Sequence, residues 1–183
     1  MAYGSNLLTN PGFETGDGTG WTTSGTATVR NYNVRSGTYS LGYGTANYTA
    51  YQAVDISAYA TAIDAGNVNA DILIYTAFSG ASEGDSWRVR LQYLNSASAV
   101  IAEVDSGTIT TPNTGYVLKE DIRVCPSGTR YLRIYLYGTE GGSTNTDVYF
   151  DDASITIELI VVPLTNYLNK PRRSRFPGSI TGI

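Results

Sequence analysis

Hydrophobic and polar positions alternate along this chain in short runs, and no run keeps a helical period. The clearest alternation lies at 70–78 (ADILIYTAF), 86–94 (SWRVRLQYL), 130–138 (RYLRIYLYG) and 147–162 (DVYFDDASITIELIVV). Weaker alternation at 26–33, 39–44, 48–56, 99–107 and 116–124 predicts five further strands. Turn clusters such as RSGT, FSGASEGD, TTPNTG, CPSGT and TEGGSTNT separate them. No amphipathic helix is legible, and 58–66 holds a short turn at most. Short strands at this spacing predict an all-β chain, a sandwich or a barrel.

Successive side chains of a strand point to opposite faces, so alternation also assigns sides. Trp87, Val89, Leu91 and Tyr93 share one face of their strand, and Arg88, Arg90 and Gln92 share the other. Leu132, Ile134 and Leu136 likewise oppose Tyr131, Arg133, Tyr135 and Tyr137. If the two strands lie in one sheet, the seven outward residues make a polar and aromatic patch. Aromatic rings that stack on sugars, beside planar polar groups that bond hydroxyls, suit a glycan. The same composition suits a protein interface or an ordinary solvated sheet. Tyr32, Tyr43, Tyr48 and Tyr51 are further aromatic candidates on weaker grounds.

Acidic residues near the two ends raise a separate possibility. Asp151 has the parity of Ala153, Ile155 and Ile157, so it is expected to point inward. A carboxylate there needs a cation, an arginine or several backbone donors. Glu14 follows Phe13, and if Phe13 anchors the core, Glu14 sits at its rim. Glu14 and Asp151, with Asp152 of opposite parity as a weaker third, would suit a calcium ion, which takes six to eight oxygen ligands. They equally suit solvated acids, or an aspartate paired with Arg35.

Composition narrows the chemistry. The 183 residues are long enough for one domain with a sizeable core. Histidine is absent, which removes the commonest general base and zinc ligand. Cys125 is the single cysteine, so no internal disulfide forms, and a small strand-end hydrophobe is expected there. No phosphate loop, zinc spacing or nucleophile elbow is present, and catalysis is not expected. No apolar run approaches the roughly 18 residues a membrane helix needs, so no membrane span is expected. The opening MAYGSN lacks the basic and apolar regions of an export signal, so export by a signal peptide is not expected.

Charge is unevenly spread. The first 158 residues carry 16 Asp and Glu against eight Lys and Arg, a net of −8, and the remainder carries four cations and no acid. The expected division is a body at 1–158 and an extended basic tail at 159–183, LIVVPLTNYLNKPRRSRFPGSITGI. Lys170, Arg172, Arg173, Arg175 and Phe176 are its candidate anchor, engaging copies of this chain or another protein. The acidic body argues against nucleic acid as the partner.

Four pieces of the sequence come in a recognisable order: NLLTNPGFETGDGTGW (6–21), RSGTYSL (35–41), YQAVDIS (51–57) and VYFDDASIT (148–156). As an ordered set they resemble non-catalytic carbohydrate-binding modules of the galactose-binding-like type, over about residues 5–158. The resemblance implies an antiparallel jelly-roll β-sandwich, often with a structural calcium near the paired termini. It implies that Glu14, carbonyls of the region 35–39 and Asp151 hold that ion, and that Trp21 covers the core edge. Similar sandwiches look like decorating or fibre domains of phage particles. The leading expectation is therefore a non-enzymatic surface or assembly protein of a phage-like virion, anchored by its tail to other virion proteins or to itself. The alternative is an extracellular glycan-binding module of a polysaccharide-degrading system.

Overall fold

The structure, a computed structural model, describes residues 4–79, 84–110, 115–142 and 145–160. Ten strands follow one another: β1 (Thr22–Gly25), β2 (Thr28–Arg30), β3 (Ser40–Gly44), β4 (Tyr48–Asp55), β5 (Val68–Phe78), β6 (Ser86–Leu94), β7 (Val100–Asp105), β8 (Val117–Val124), β9 (Tyr131–Thr139) and β10 (Thr146–Leu159). A 3-10 turn, Ser57–Tyr59, runs into a short helix α1 (Ala60–Asp64) between β4 and β5. The strands form two antiparallel five-stranded sheets, ordered β1-β4-β9-β6-β7 and β2-β3-β10-β5-β8. This is the all-β jelly-roll sandwich that the alternation and the resemblance predict.

The inward faces meet as expected for two sheets whose alternating residues interdigitate. Val89, Leu91, Ile134 and Leu136 of the first sheet join one core with Ile72, Ile74, Phe150 and Ile155 of the second. Each such side chain contributes on the order of 1.5–3 kcal/mol by leaving water. Cys125, just past β8, is buried, and burial pushes its thiol up to about 11, so it is an inert core residue.

The N-terminal segment lies along β10. Leu7 N–H donates to Ile155 O at 2.8 Å, Gly4 N–H to Ile157 O at 3.3 Å, and Ala153 N–H to Pro11 O at 2.9 Å. The Asn6 side chain reinforces this, donating to Ala153 O and accepting from Ile155 N–H. Strand β10 runs one residue past the boundary expected at 158, and Ile160 N–H donates to Asn67 O. The tail-anchor candidates Lys170, Arg172, Arg173, Arg175 and Phe176 lie outside the described residues.

The parity expected for Asp151 needs correction. The register of β10 against β5 shifts between Asp151 and Ser154, and Asp152 has a left-handed φ of 48°. This bulge inserts a residue and reverses the alternation. Val148 and Phe150 face the core before it, and Ala153 and Ile155 after it. Asp151 pairs with Tyr75, whose place in β5 alternates with the core residues Ile72 and Ile74. Asp151 is thus fully buried on the outer face of its sheet, beneath the backbone of Arg35 and Ser36.

Candidate functional site

Strands β9 and β6 are neighbours at the centre of the first sheet, and their outward residues pair directly. Tyr137 lies opposite Arg88, Tyr135 opposite Arg90, Arg133 opposite Gln92 and Tyr131 opposite Leu94. The flanking strands extend each row. Strand β4 adds Thr49 beside Tyr137, Tyr51 beside Tyr135 and Ala53 beside Arg133. Strand β7 adds Asp105 beside Arg90 and Glu103 beside Gln92. Antiparallel register therefore gathers the seven outward residues on one face and supplies further partners. Tyr131 stands at its far end, across from Asp55 of β4.

The tyrosines stack on one another. Tyr51 and Tyr135 are 5.2 Å apart between ring centres at 16°, and Tyr135 and Tyr137 are 4.6 Å apart at 21°. The guanidinium of Arg133 lies 5.7 Å from the Tyr51 ring and 5.5 Å from that of Tyr135, and those of Arg88 and Arg90 lie 5.9 and 5.5 Å from that of Tyr137. Ring faces are thus taken by other rings and by arginines, and such contacts are favourable in themselves. The three rings form a column with Tyr135 between Tyr51 and Tyr137. Among the described residues the three phenol hydroxyls take no protein partner, so they remain to bond a ligand's hydroxyls.

Charged groups lock the rest of the face. Arg88 donates from Nε to Asp105 Oδ1 at 2.8 Å and from Nη2 to Oδ2. The Arg88 guanidinium holds the Asp105 carboxyl down to about 2, helped by Gly107 N–H and by Arg90. Arg90 Nε lies 3.2 Å from Asp105 Oδ2, yet this buried nitrogen makes no hydrogen bond, so the contact is an ion pair without hydrogen-bond geometry. Gln92 links two residues: Oε1 accepts from Arg133 Nε at 2.7 Å, and Nε2 donates to Glu103 Oε2 at 2.8 Å. At the Tyr137 end the face opens into a cavity of about 340 Å³ lined by Ser24, Asn47, Thr49, Tyr137 and Thr139 among others. That volume is in the range of small-ligand clefts.

Asp105 and Glu103 were not singled out from the sequence. Their strand showed weak alternation, and only the register with β6 reveals their partners. Of the four further tyrosines, Tyr51 belongs to the column, whereas Tyr48 is buried and donates its hydroxyl to Val148 O at 2.8 Å. Tyr32 and Tyr43 line a separate cavity of about 370 Å³ with Arg30 and Asp147.

The acidic candidates gather elsewhere, around the loop 35–39. Phe13 is fully buried and packs on Trp21 at 5.1 Å between ring centres, with Trp21 Nε1 donating to Asn10 O. Glu14, the next residue, accepts from Thr38 N–H at 2.9 Å and from Tyr39 N–H at 3.0 Å. Asp151 accepts from the backbone N–H of Arg35 at 2.9 Å, of Ser36 at 3.3 Å and of Asp152 at 2.7 Å. Asp152 takes the Arg35 guanidinium and the Ser36 hydroxyl. Burial pushes the Asp151 carboxyl up to about 6, and the charge of Asp152 adds to this. A methyl group on Gly12 would lie 3.5 Å from Asp152 Oδ1, 3.7 Å from Asp151 Oδ1 and 3.7 Å from Glu14 Cγ. A cation suits this gathering in charge, because Asp151 is buried and, among the described residues, bonded by no cationic side chain. Among the described residues no three Asp, Glu or Cys side chains are placed to hold a metal by themselves, so carbonyl oxygens would have to complete the set.

No family model matches this chain, and no curated protein matches it. Solved structures match its fold. TmCBM61, solved in complex with beta-1,4-galactotriose, is 18% identical, with 85% of this chain and 100% of that chain aligned and a TM-score of 0.59. A Stig cyclase from Fischerella sp. TAU is 16% identical over 87% of this chain and 100% of its own, with a TM-score of 0.61. The enzymatically active domain of bacteriophage CBA120 tailspike protein 4 is 13% identical over 84% of this chain but only 21% of its own, with a TM-score of 0.60. The fold is thus shared by a carbohydrate-binding module, an enzyme and one part of a phage tailspike.

Proposed function

We propose that this domain is a non-catalytic glycan-binding module and that its ligand lies along the outer face of β4, β9 and β6. The observation that carries this is the column of Tyr51, Tyr135 and Tyr137, with unpartnered hydroxyls, flanked by arginines held in place by Asp105 and Gln92. A ligand rich in hydroxyls meets donors and acceptors there that are already ordered, so little side-chain freedom is lost on binding. The shared fold of TmCBM61 supports the reading. Affinity electrophoresis against a panel of soluble polysaccharides tests it. Tyr135→Ala should weaken retention at least tenfold, the cost of one well-placed contact, with the far-ultraviolet spectrum unchanged. Equal retention of Tyr135→Ala and the parent would overturn the assignment of this face.

A second reading is assembly on a phage-like particle, with residues 161–183 as anchor and the sandwich displayed outward. Its support is the fold shared with one part of a phage tailspike and the basic tail on an acidic body. Sedimentation of the full chain with particles, beside a version ending at Ile160, tests it: co-sedimentation of the full chain alone is the expected result, and equal behaviour sinks the idea.

For the acidic cluster we propose a structural calcium held by Glu14 and Asp151 with carbonyls of the loop 35–39. A ligand bound only by the folded protein raises its melting temperature. Chelation should therefore lower Tm and added calcium restore it; an unchanged Tm means that backbone amides alone satisfy these carboxylates.

A further inference from the structure

We infer that the glycan face selects an anionic polysaccharide, one carrying uronate carboxylates, and that Arg133 is the residue that reads the carboxylate. This rests on the glycan-binding reading of the face and names the class of ligand.

The inference comes from accounting for every charge on the face. Three guanidiniums, Arg88, Arg90 and Arg133, stand among two carboxylates, Asp105 and Glu103. Asp105 is committed to Arg88 through both oxygens and to Arg90 by proximity. Glu103 is bonded by the Gln92 amide, which separates it from Arg133. Asp55, near the Tyr131 end, turns its carboxylate onto the backbone N–H and hydroxyl of Ser57. Arg133 therefore has no ion pair among the described residues, and its two Nη groups make no hydrogen bond there.

Its position is nevertheless fixed. Nε is held by Gln92 Oε1, and the guanidinium lies against Tyr51 and Tyr135. An arginine fixed at Nε keeps the remaining N–H groups in a planar fork that matches a carboxylate. The hydroxyls of Tyr51 and Tyr135, whose rings lie against this guanidinium, suit the hydroxyls of the bound chain. A neutral glycan can accept hydrogen bonds from this fork, but only an anionic one also pairs with a charge that no carboxylate among the described residues neutralises. The body at large carries twice as many acids as cations, so an anionic chain is repelled elsewhere and drawn to this row.

Calorimetric titration of the full chain with polygalacturonate, its methyl-esterified form, neutral galactan and dextran sulfate tests the inference. Polygalacturonate should bind, and methyl esterification, which removes the charge and keeps the backbone, should weaken binding tenfold or more. Arg133→Gln should lose the same factor on polygalacturonate and clearly less on neutral galactan, which takes hydrogen bonds but no ion pair from this fork. Arg30→Gln, on the other sheet, serves as the control and should bind like the parent. If galactan and esterified pectin bind as well as the free acid, the uronate inference fails while the glycan reading stands. If dextran sulfate matches polygalacturonate, the attraction is to charge alone and the inference fails. If no member of the panel binds, the glycan reading itself fails.

Discussion

Phe13 has a φ of 59°, a conformation that bulky residues adopt only where the surroundings hold them. Here the ring is sealed in the core against Trp21, and the left-handed backbone swings Glu14 the other way, onto the amides of Thr38 and Tyr39. That is why a carboxylate follows a phenylalanine directly in the chain. The loop it meets depends on Gly37, whose φ is 71° and whose missing side chain leaves room for Glu14: a methyl there would lie 2.5 Å from its carboxylate. Gly37→Ala should lower unfolding stability by about 2 kcal/mol from backbone and contact strain together, measured by urea denaturation. At Asp105 the expected effect is on acid stability. Its folded carboxyl titrates near 2, below the ordinary value of about 3.9, because Arg88 favours the charged form. The stability it contributes is complete above about pH 4 and is lost as pH falls toward 2. Asp105→Asn should remove that part of the acid sensitivity, and the gap between variant and parent should close across this window. Neither the φ of Phe13 nor the fork of Arg88 on Asp105 was legible in the sequence, since both depend on contacts between distant segments.

At the scale of elements, alternation carried most of the information. Strands β6 and β9 present the faces read from their sequences, because each has polar outward residues between fully apolar inward ones. Strand β1 was missed because its four residues, TTSG, are all exposed and have no alternation to read. The bulge in β10 was missed for a different reason: apolar residues continue on both sides of it, and only the register with β5 shows that one position is skipped. Stacking of the tyrosines was equally hidden, since Tyr51 and Tyr135 meet through cross-strand pairing. The bulge makes a sharp prediction. Deleting Asp152 would restore plain alternation and leave Val148, Phe150, Ala153 and Ile155 on the core face, whereas inserting a second residue beside Asp152 would turn either the first pair or the second out of the core. Losing two such residues costs several kcal/mol, a large part of the stability of a domain. The insertion variant should not give a cooperative thermal transition, whereas the deletion variant and Asp152→Asn, which keeps the residue count and tolerates the left-handed conformation, should.

For the molecule as a whole, the two sheets divide the labour. The first keeps an ordered polar face on its central strands, and the second carries the N-terminal segment, the bulge and the acidic cluster. The described body also begins and finishes at one place, because residues 4–11 run antiparallel to the last strand and Gly4 meets Ile157. This arrangement has a mechanical side. Tension applied between residue 4 and residue 160 would not shear the whole ladder at once. It would open Gly4 from Ile157 first, then Leu7 from Ile155, then Pro11 from Ala153, one bond at a time like a zip. A module tethered through both of these ends would yield at low force at its seam, while the face proposed to hold the glycan, on the opposite sheet, would lie off the line of the load.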